Sequence, residues 1–151
     1  MVVTGWVLSV PLSAQVDTAW LGEWRLNLQR SSYSPGPAPY VRASYRIQPH
    51  RDGIRVVYEM VRPRGGVTRL EWTGRFDGQD YAVQGVEESV TYAYRRIDAQ
   101  TYDVVTKVDG RIAAASRAVL STDGRAITTT TTGRNGSGAE VTTVTVYEKA
   151  R

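Results

Sequence analysis

Cysteine is absent from the 151 residues. Its absence excludes disulfides, thiolate catalysis, cysteine-ligated zinc and iron–sulfur clusters. Histidine occurs once, at His50, so one chain cannot assemble a multi-histidine metal site. No apolar run approaches the roughly 20 residues of a membrane-spanning helix. Acidic charge falls short of basic: 15 Asp and Glu stand against 19 Lys and Arg, a formal net charge of +4, and 17 of the basic residues are arginine. Such an excess marks a polyanion-binding protein only where it clusters. Here it is spread, from Arg42 and Arg46 through Arg55, Arg69 and Arg75 to Arg95 and Arg111. The local groups Arg62-Pro-Arg64 and Arg95-Arg96 are not interleaved with aromatics as a nucleic-acid stacking platform would be. No nucleic-acid partner is expected.

Hydrophobic residues at 41% and charged residues at 23% form an ordinary globular composition. The first sixteen residues carry no charge. Val7–Leu12 suits the apolar region of a secretory signal, with Leu12-Ser13-Ala14 as its small-residue cleavage site. The basic n-region is missing, so the alternative is a hydrophobic first strand, against which Pro11 argues. The expected organisation is a signal peptide or its remnant over 1–14 and one domain over 15–151. The expected location is secreted or periplasmic, in a bacterium.

Turn dipeptides set the rhythm of the remainder: Asp52-Gly53, Gly65-Gly66, Asp77-Gly78, Asp109-Gly110, Asp123-Gly124 and Asn135-Gly136. Glycine in such pairs supplies the positive φ of tight hairpins. Between them apolar and polar residues alternate with period two. Ile54, Val56, Tyr58 and Met60 alternate with Arg55 and Glu59, and Leu70 and Trp72 with Arg69 and Glu71. Such alternation is what a sheet with one packed face requires. The pattern predicts about nine or ten antiparallel strands. A flat meander of that length exposes two edges, and closure removes them. The expected fold is all-β, an up-and-down meander closed into a barrel, with a two-sheet sandwich as the alternative. Ser31–Pro39 breaks the rhythm with three prolines in five residues. It is either a rigid connector or a lid over one barrel end, with Tyr33 and Tyr40 as its aromatic contacts.

Leu21-Gly22-Glu23-Trp24-Arg25-Leu26 opens the domain and Val144-Thr-Val-Tyr-Glu-Lys149 closes it. Framing a meander of this length, the two motifs resemble the calycin superfamily, the lipocalins and fatty-acid-binding proteins. They are most similar to small secreted bacterial lipocalin-like proteins of unassigned function. The resemblance implies a lipocalin-like barrel with a ligand inside. Trp24 is expected to plug one end, with a cation from Lys149 or Arg151 stacked on it. The resemblance also exposes two departures. Fatty-acid-binding proteins hold a carboxylate with Arg-x-Tyr in the last strand; here Tyr147 matches and Thr145 stands at the arginine position. The helical lid of that family is replaced by the proline segment.

The candidate binding residues are Tyr45, Tyr58, Trp72, Tyr92, Tyr94 and Tyr102 on inward phases of several strands, with Arg117, Thr145 and Tyr147. A tyrosine-rich interior suits a polar-lined pocket, since each buried hydroxyl needs a partner. For an anion, Arg96, Arg117 or Arg46 would be the partner. The run Thr128–Thr132 offers either a solvent-side strand or a wet cavity wall. His50 beside Asp52 reads as a turn residue, and Glu87-Glu88 as a solvated loop whose adjacent side chains diverge. Asp77, Gln79 and Asp80 are too few for a calcium site. No catalytic group is marked, so the chain reads as a binder rather than an enzyme. Neither cofactor nor metal is expected, and the chain is expected to be a monomer. The expected function is binding of a small apolar or amphipathic molecule inside the barrel. The alternative is a filled barrel acting as a structural or envelope-interaction module.

Overall fold

A computed structural model describes residues 17–151; the signal-peptide expectation lies outside them. Eleven strands follow in order: β1 Gly22–Leu26, β2 Ser32–Ser34, β3 Arg42–His50, β4 Gly53–Val61, β5 Val67–Gly74, β6 Tyr81–Gln84, β7 Val90–Asp98, β8 Thr101–Val108, β9 Arg111–Leu120, β10 Ala126–Arg134 and β11 Glu140–Lys149. All pair antiparallel with their neighbours. β1 pairs with β3 on one side and β11 on the other, which closes ten strands into a barrel and leaves β2 outside it. The expected closed meander is therefore the observed fold, and the sandwich is not.

The closing seam matches Trp24 to Lys149, Arg25 to Glu148 and Leu26 to Tyr147. Beyond Leu26 the chain leaves the barrel wall, and β2 takes over the same edge of β11 at Thr142–Val144. Ser31 bridges the step. Its hydroxyl donates to the Asn27 carbonyl at 2.7 Å and accepts from the Val146 amide at 3.0 Å. The Asn27 amide donates to the Val146 carbonyl at 2.8 Å, so an edge that would have stayed open is satisfied by Asn27 and Ser31 together.

Two turns show how the dipeptides act. Asp109 and Gly110 both hold positive φ, at 50° and 77°, the type I′ geometry that matches the twist of β8 and β9. At Asp52-Gly53 the reason differs from expectation. The positive φ belongs to Arg51, at 51°, and Gly53 is already in β4. A Cβ there would stand 2.1 Å from the Gly74 carbonyl oxygen, so Gly53 serves the close approach of β5.

The barrel has a filled end and an open end. Hairpins β3–β4, β7–β8 and β9–β10 and the β5–β6 loop share the first, with the 3-10 turn Thr18–Trp20. There the core gathers: Trp20, Trp24, Ile47, Ile54, Val56, Trp72, Phe76, Tyr102, Leu120 and Ile127 are all buried. The proline segment and the remaining hairpins ring the opposite end. β6 is the thinnest part of the wall, held by two residue pairs to β5 and two to β7.

Candidate functional site

A cavity of about 320 Å³ lies above the filled end. Its walls follow from strand phase. Tyr45 on β3, Tyr58 on β4, Tyr92 and Tyr94 on β7, Tyr102 on β8, and Thr145 and Tyr147 on β11 all line it. Each tyrosine except Tyr92 sits beside a charged residue that must face water, such as Arg46, Glu59, Arg95, Asp103 or Glu148, and so its own ring turns inward.

The rings form a continuous belt. Tyr147 packs on Tyr45 at 4.5 Å between centroids, and Tyr45 on Tyr58 at 5.5 Å. Tyr58 Oη and Tyr94 Oη are 3.2 Å apart and share a hydrogen bond. Phe76 joins Tyr94 at 6.0 Å to Tyr102 at 4.6 Å, and Tyr102 meets Trp20 edge-on at 4.8 Å. Tilted and edge-to-face pairs of this kind add about 0.5–1.5 kcal/mol each beyond their buried area. The other wall, from Val104 on β8 to Thr145 on β11, carries no ring. It is built from Val104, Thr106, Ser116, Ala118, Ile127, Thr129, Thr131 and Thr145. Ser116 Oγ and Thr131 Oγ1 share a hydrogen bond of 2.8 Å. The cavity thus has an aromatic side and a side of small aliphatic and hydroxyl groups.

Burial sets the electrostatics. Desolvation pushes the phenols of Tyr45 and Tyr58 well above the usual tyrosine range, and the neighbouring tyrosines push the same way. Desolvation raises Tyr94 too, partly offset by its bond to Tyr58. Tyr92 is pushed up to about 12. At neutral pH these tyrosines are uncharged, and so is every side chain lining the cavity.

Two of the expected binding residues stand elsewhere. Trp72 is fully buried below the cavity. Its ring packs on Tyr94 at 4.5 Å, and Nε1 donates to the Tyr81 carbonyl at 3.2 Å. It supports the belt without lining the space. Arg117 faces outward, donating through Nε and Nη2 to both oxygens of Asp103 at 2.7 and 2.9 Å. The inward positions of β9 are Ser116 and Ala118. Arg46 is also outside, paired with Glu23 at 3.0 Å. Arg96 shares an inward phase with its β8 partner Tyr102, donates to the Asp98 carbonyl at 3.3 Å, and lines no part of the cavity. Within the threonine run the inward residues are Thr129 and Thr131, while Thr128, Thr130 and Thr132 lie on the outer face with Arg117.

The filled end is latched. Trp24 is fully buried and its Nε1 donates to the Trp20 carbonyl at 2.9 Å. Lys149 Nζ stands 5.0 Å from the Trp24 ring centroid and donates to the Ala19 carbonyl at 2.9 Å. Trp20 Nε1 in turn donates to the Ala99 carbonyl at 2.9 Å. At the open end, Tyr33 and Tyr40 of the proline segment are half-buried. Tyr40 is near enough to Tyr92 and Tyr147, on strands far apart around the wall, to oppose ionisation of either. His50 ends β3, Glu87 and Glu88 are exposed between β6 and β7, and Asp80 pairs with Lys107 at 2.7 Å. Among the described residues no three His, Asp or Glu side chains are grouped to hold a metal.

No protein-family model matches the sequence, and no curated protein matches it. By structure, the chain is similar to the zebrafish ileal bile acid-binding protein solved with cholic acid. The TM-score is 0.53 at 12% identity, over 87% of this chain and 99% of that one. At that identity the likeness concerns the fold alone: a closed antiparallel up-and-down barrel.

Proposed function

We propose that this calycin-type barrel is a secreted or periplasmic binding protein that holds a small apolar or amphipathic molecule in its interior. One observation carries the reading: the interior space of about 320 Å³, walled by a tyrosine belt opposite a hydroxyl-bearing wall. Ligand sites of soluble proteins start near that volume and are mostly apolar with a few polar groups fixing orientation. A barrel needed only as a scaffold would gain stability by filling the space with side chains. The bile-acid-binding protein of similar fold supports an apolar occupant in such an interior. Export is supported by the uncharged Val7–Leu12 and the Leu12-Ser13-Ala14 that follows.

Native mass spectrometry of the protein purified from a bacterial periplasm tests both parts. The expected spectrum shows a mature chain beginning near Gln15 and an adduct of defined mass released on activation. A clean unliganded mass, together with no thermal shift across a lipid and aromatic panel, would refute the binding function. The filled-barrel alternative rests on the packed end, where Trp20, Trp24, Trp72 and Phe76 occupy the interior. It requires that mutations widening the cavity leave every interaction unchanged.

A further inference from the structure

We infer that the occupant of the cavity is an uncharged molecule, an apolar body bearing hydroxyl or carbonyl groups, and not a carboxylate or other ion. The inference rests on the binding function proposed above and specifies its ligand class. Four observations converge on it.

The lining contains no Asp, Glu, Lys, Arg or His. The strand arginines that could have answered an anionic group are committed outside: Arg46 to Glu23, Arg55 to Glu71 at 2.6 Å, and Arg95 and Arg117 to Asp103. Arg96, on an inward phase, sits at the filled end opposite Tyr102 and does not reach the cavity lining. An ionised group carried into this space would therefore be buried without a counter-ion, which costs several kcal/mol even after relaxation.

The walls are equipped for neutral polar groups instead. A pair of hydroxyls joined by one hydrogen bond spends one of its two protons and keeps the other. The Tyr58–Tyr94 pair and the Ser116–Thr131 pair each keep such a donor, one on either side of the cavity. Thr129 and Thr145, partners across β10 and β11, add two more hydroxyls on one face. These groups can donate to a carbonyl or ether oxygen and accept from an alcohol. The polarity is also graded along the barrel. Ile47, Ile54, Val56, Phe76 and Ile127 lie toward the filled end, and Thr106, Ser116 and Thr131 toward the open one. An apolar body would point down and its oxygen up. The raised phenol pKa values agree, since they report how strongly the interior resists charge.

Displacement of Nile red, itself uncharged, tests the inference on the full-length mature protein. The competitors are decan-1-ol and decanoic acid, between about pH 6 and pH 8. Over that range each pH unit lowers the protonated fraction of a carboxylic acid about tenfold. If only uncharged molecules enter, the apparent affinity of decanoic acid falls by that factor per unit and that of decanol stays flat. Thr145→Arg, which places a cation in the lining, should flatten the decanoic acid profile. Decanoic acid binding in the native protein with no pH dependence would overturn the inference while leaving the binding function standing. Failure of Nile red and decanol to bind at any pH would remove the binding function, and this inference with it.

Discussion

Replacing Lys149 with methionine keeps most of the apolar stem and removes the charge from the latch at the filled end. Two interactions disappear. One is the charge-assisted bond from Nζ to the Ala19 carbonyl at 2.9 Å, and bonds of that type contribute about 1.5–3 kcal/mol. The other is the cation over the Trp24 ring at 5.0 Å, about 0.5–1 kcal/mol where solvent has access. Lys149 is half-buried, which favours the lower part of the first range, so Lys149→Met should cost about 2 kcal/mol in urea unfolding. For a chain of this length that corresponds to a fall in Tm of roughly 4–8 °C. The ring contribution separates in a double-mutant cycle with Trp24→Ala, whose own cost is about 3–5 kcal/mol for a fully buried tryptophan. The expected coupling between the two positions is about 0.5–1 kcal/mol, stabilising. Costs that add without coupling would show that the cation does not engage the ring. A Lys149→Met protein as stable as the parent would refute the latch altogether.

Gly53→Ala should destabilise by about 1–3 kcal/mol, because its Cβ collides with the Gly74 carbonyl. Gly136→Ala, with open space around it and no positive φ, should be neutral or gain up to about 1 kcal/mol; urea unfolding of the two variants compares them directly. Arg117→Ala should leave Nile red affinity within about twofold of the parent, because its fork grips Asp103 outside the barrel. The bond from Arg117 holds the Asp103 carboxyl below its usual range. Its contribution is therefore present above about pH 4, is lost as pH falls further, and should be missing from the acid limb of the Arg117→Ala protein. At high pH the sign reverses. The buried phenols have folded pKa values above their unfolded ones, so stability should hold up to about pH 10 and decline as pH rises beyond it. Tyrosinate absorbance should then appear together with loss of circular dichroism, and a full tyrosine titration in the folded state would contradict the buried belt.

The parts of the barrel that were legible in the sequence are those where neighbours differ. Tyr45, Tyr58, Tyr94 and Tyr102 alternate with charged residues, and that contrast fixes their phase. β9 lacks it: Ile112-Ala-Ala-Ala-Ser116 offers small or apolar residues on both faces. A bulge between Thr106 and Lys107 of its partner shifts the register besides. Arg117 could not be oriented from within that strand, and only the partner Asp103 settles its direction. The threonine run has the same ambiguity, resolved by the partners Ala118 and Thr145 of Thr129. Trp72 illustrates a different limit. Its phase was readable, but phase gives the face of a strand and not the height along the barrel, so a plug and a lining residue look alike. Ser32–Ser34 was hidden by the prolines that follow, since its pairing with β11 is set by residues more than a hundred positions away.

The seam between β1 and β11 has a consequence for the order of events in folding. Lys149 bonds to Ala19 across 130 residues of sequence, and the Trp24–Lys149 pairing sits beside it. Every other wall contact joins consecutive strands of the meander, apart from β1 with β3 around the proline segment. Hairpins can form as the chain emerges, but closure must wait for β11, Glu140–Lys149. Loop closure over such a distance is entropically costly and slow. Until it occurs, β1 and β10 each present an unpaired edge to other chains. The final strand thus acts as a completion signal: a chain cut before Glu140 keeps most of its hairpins, yet remains open, adhesive and unable to enclose anything.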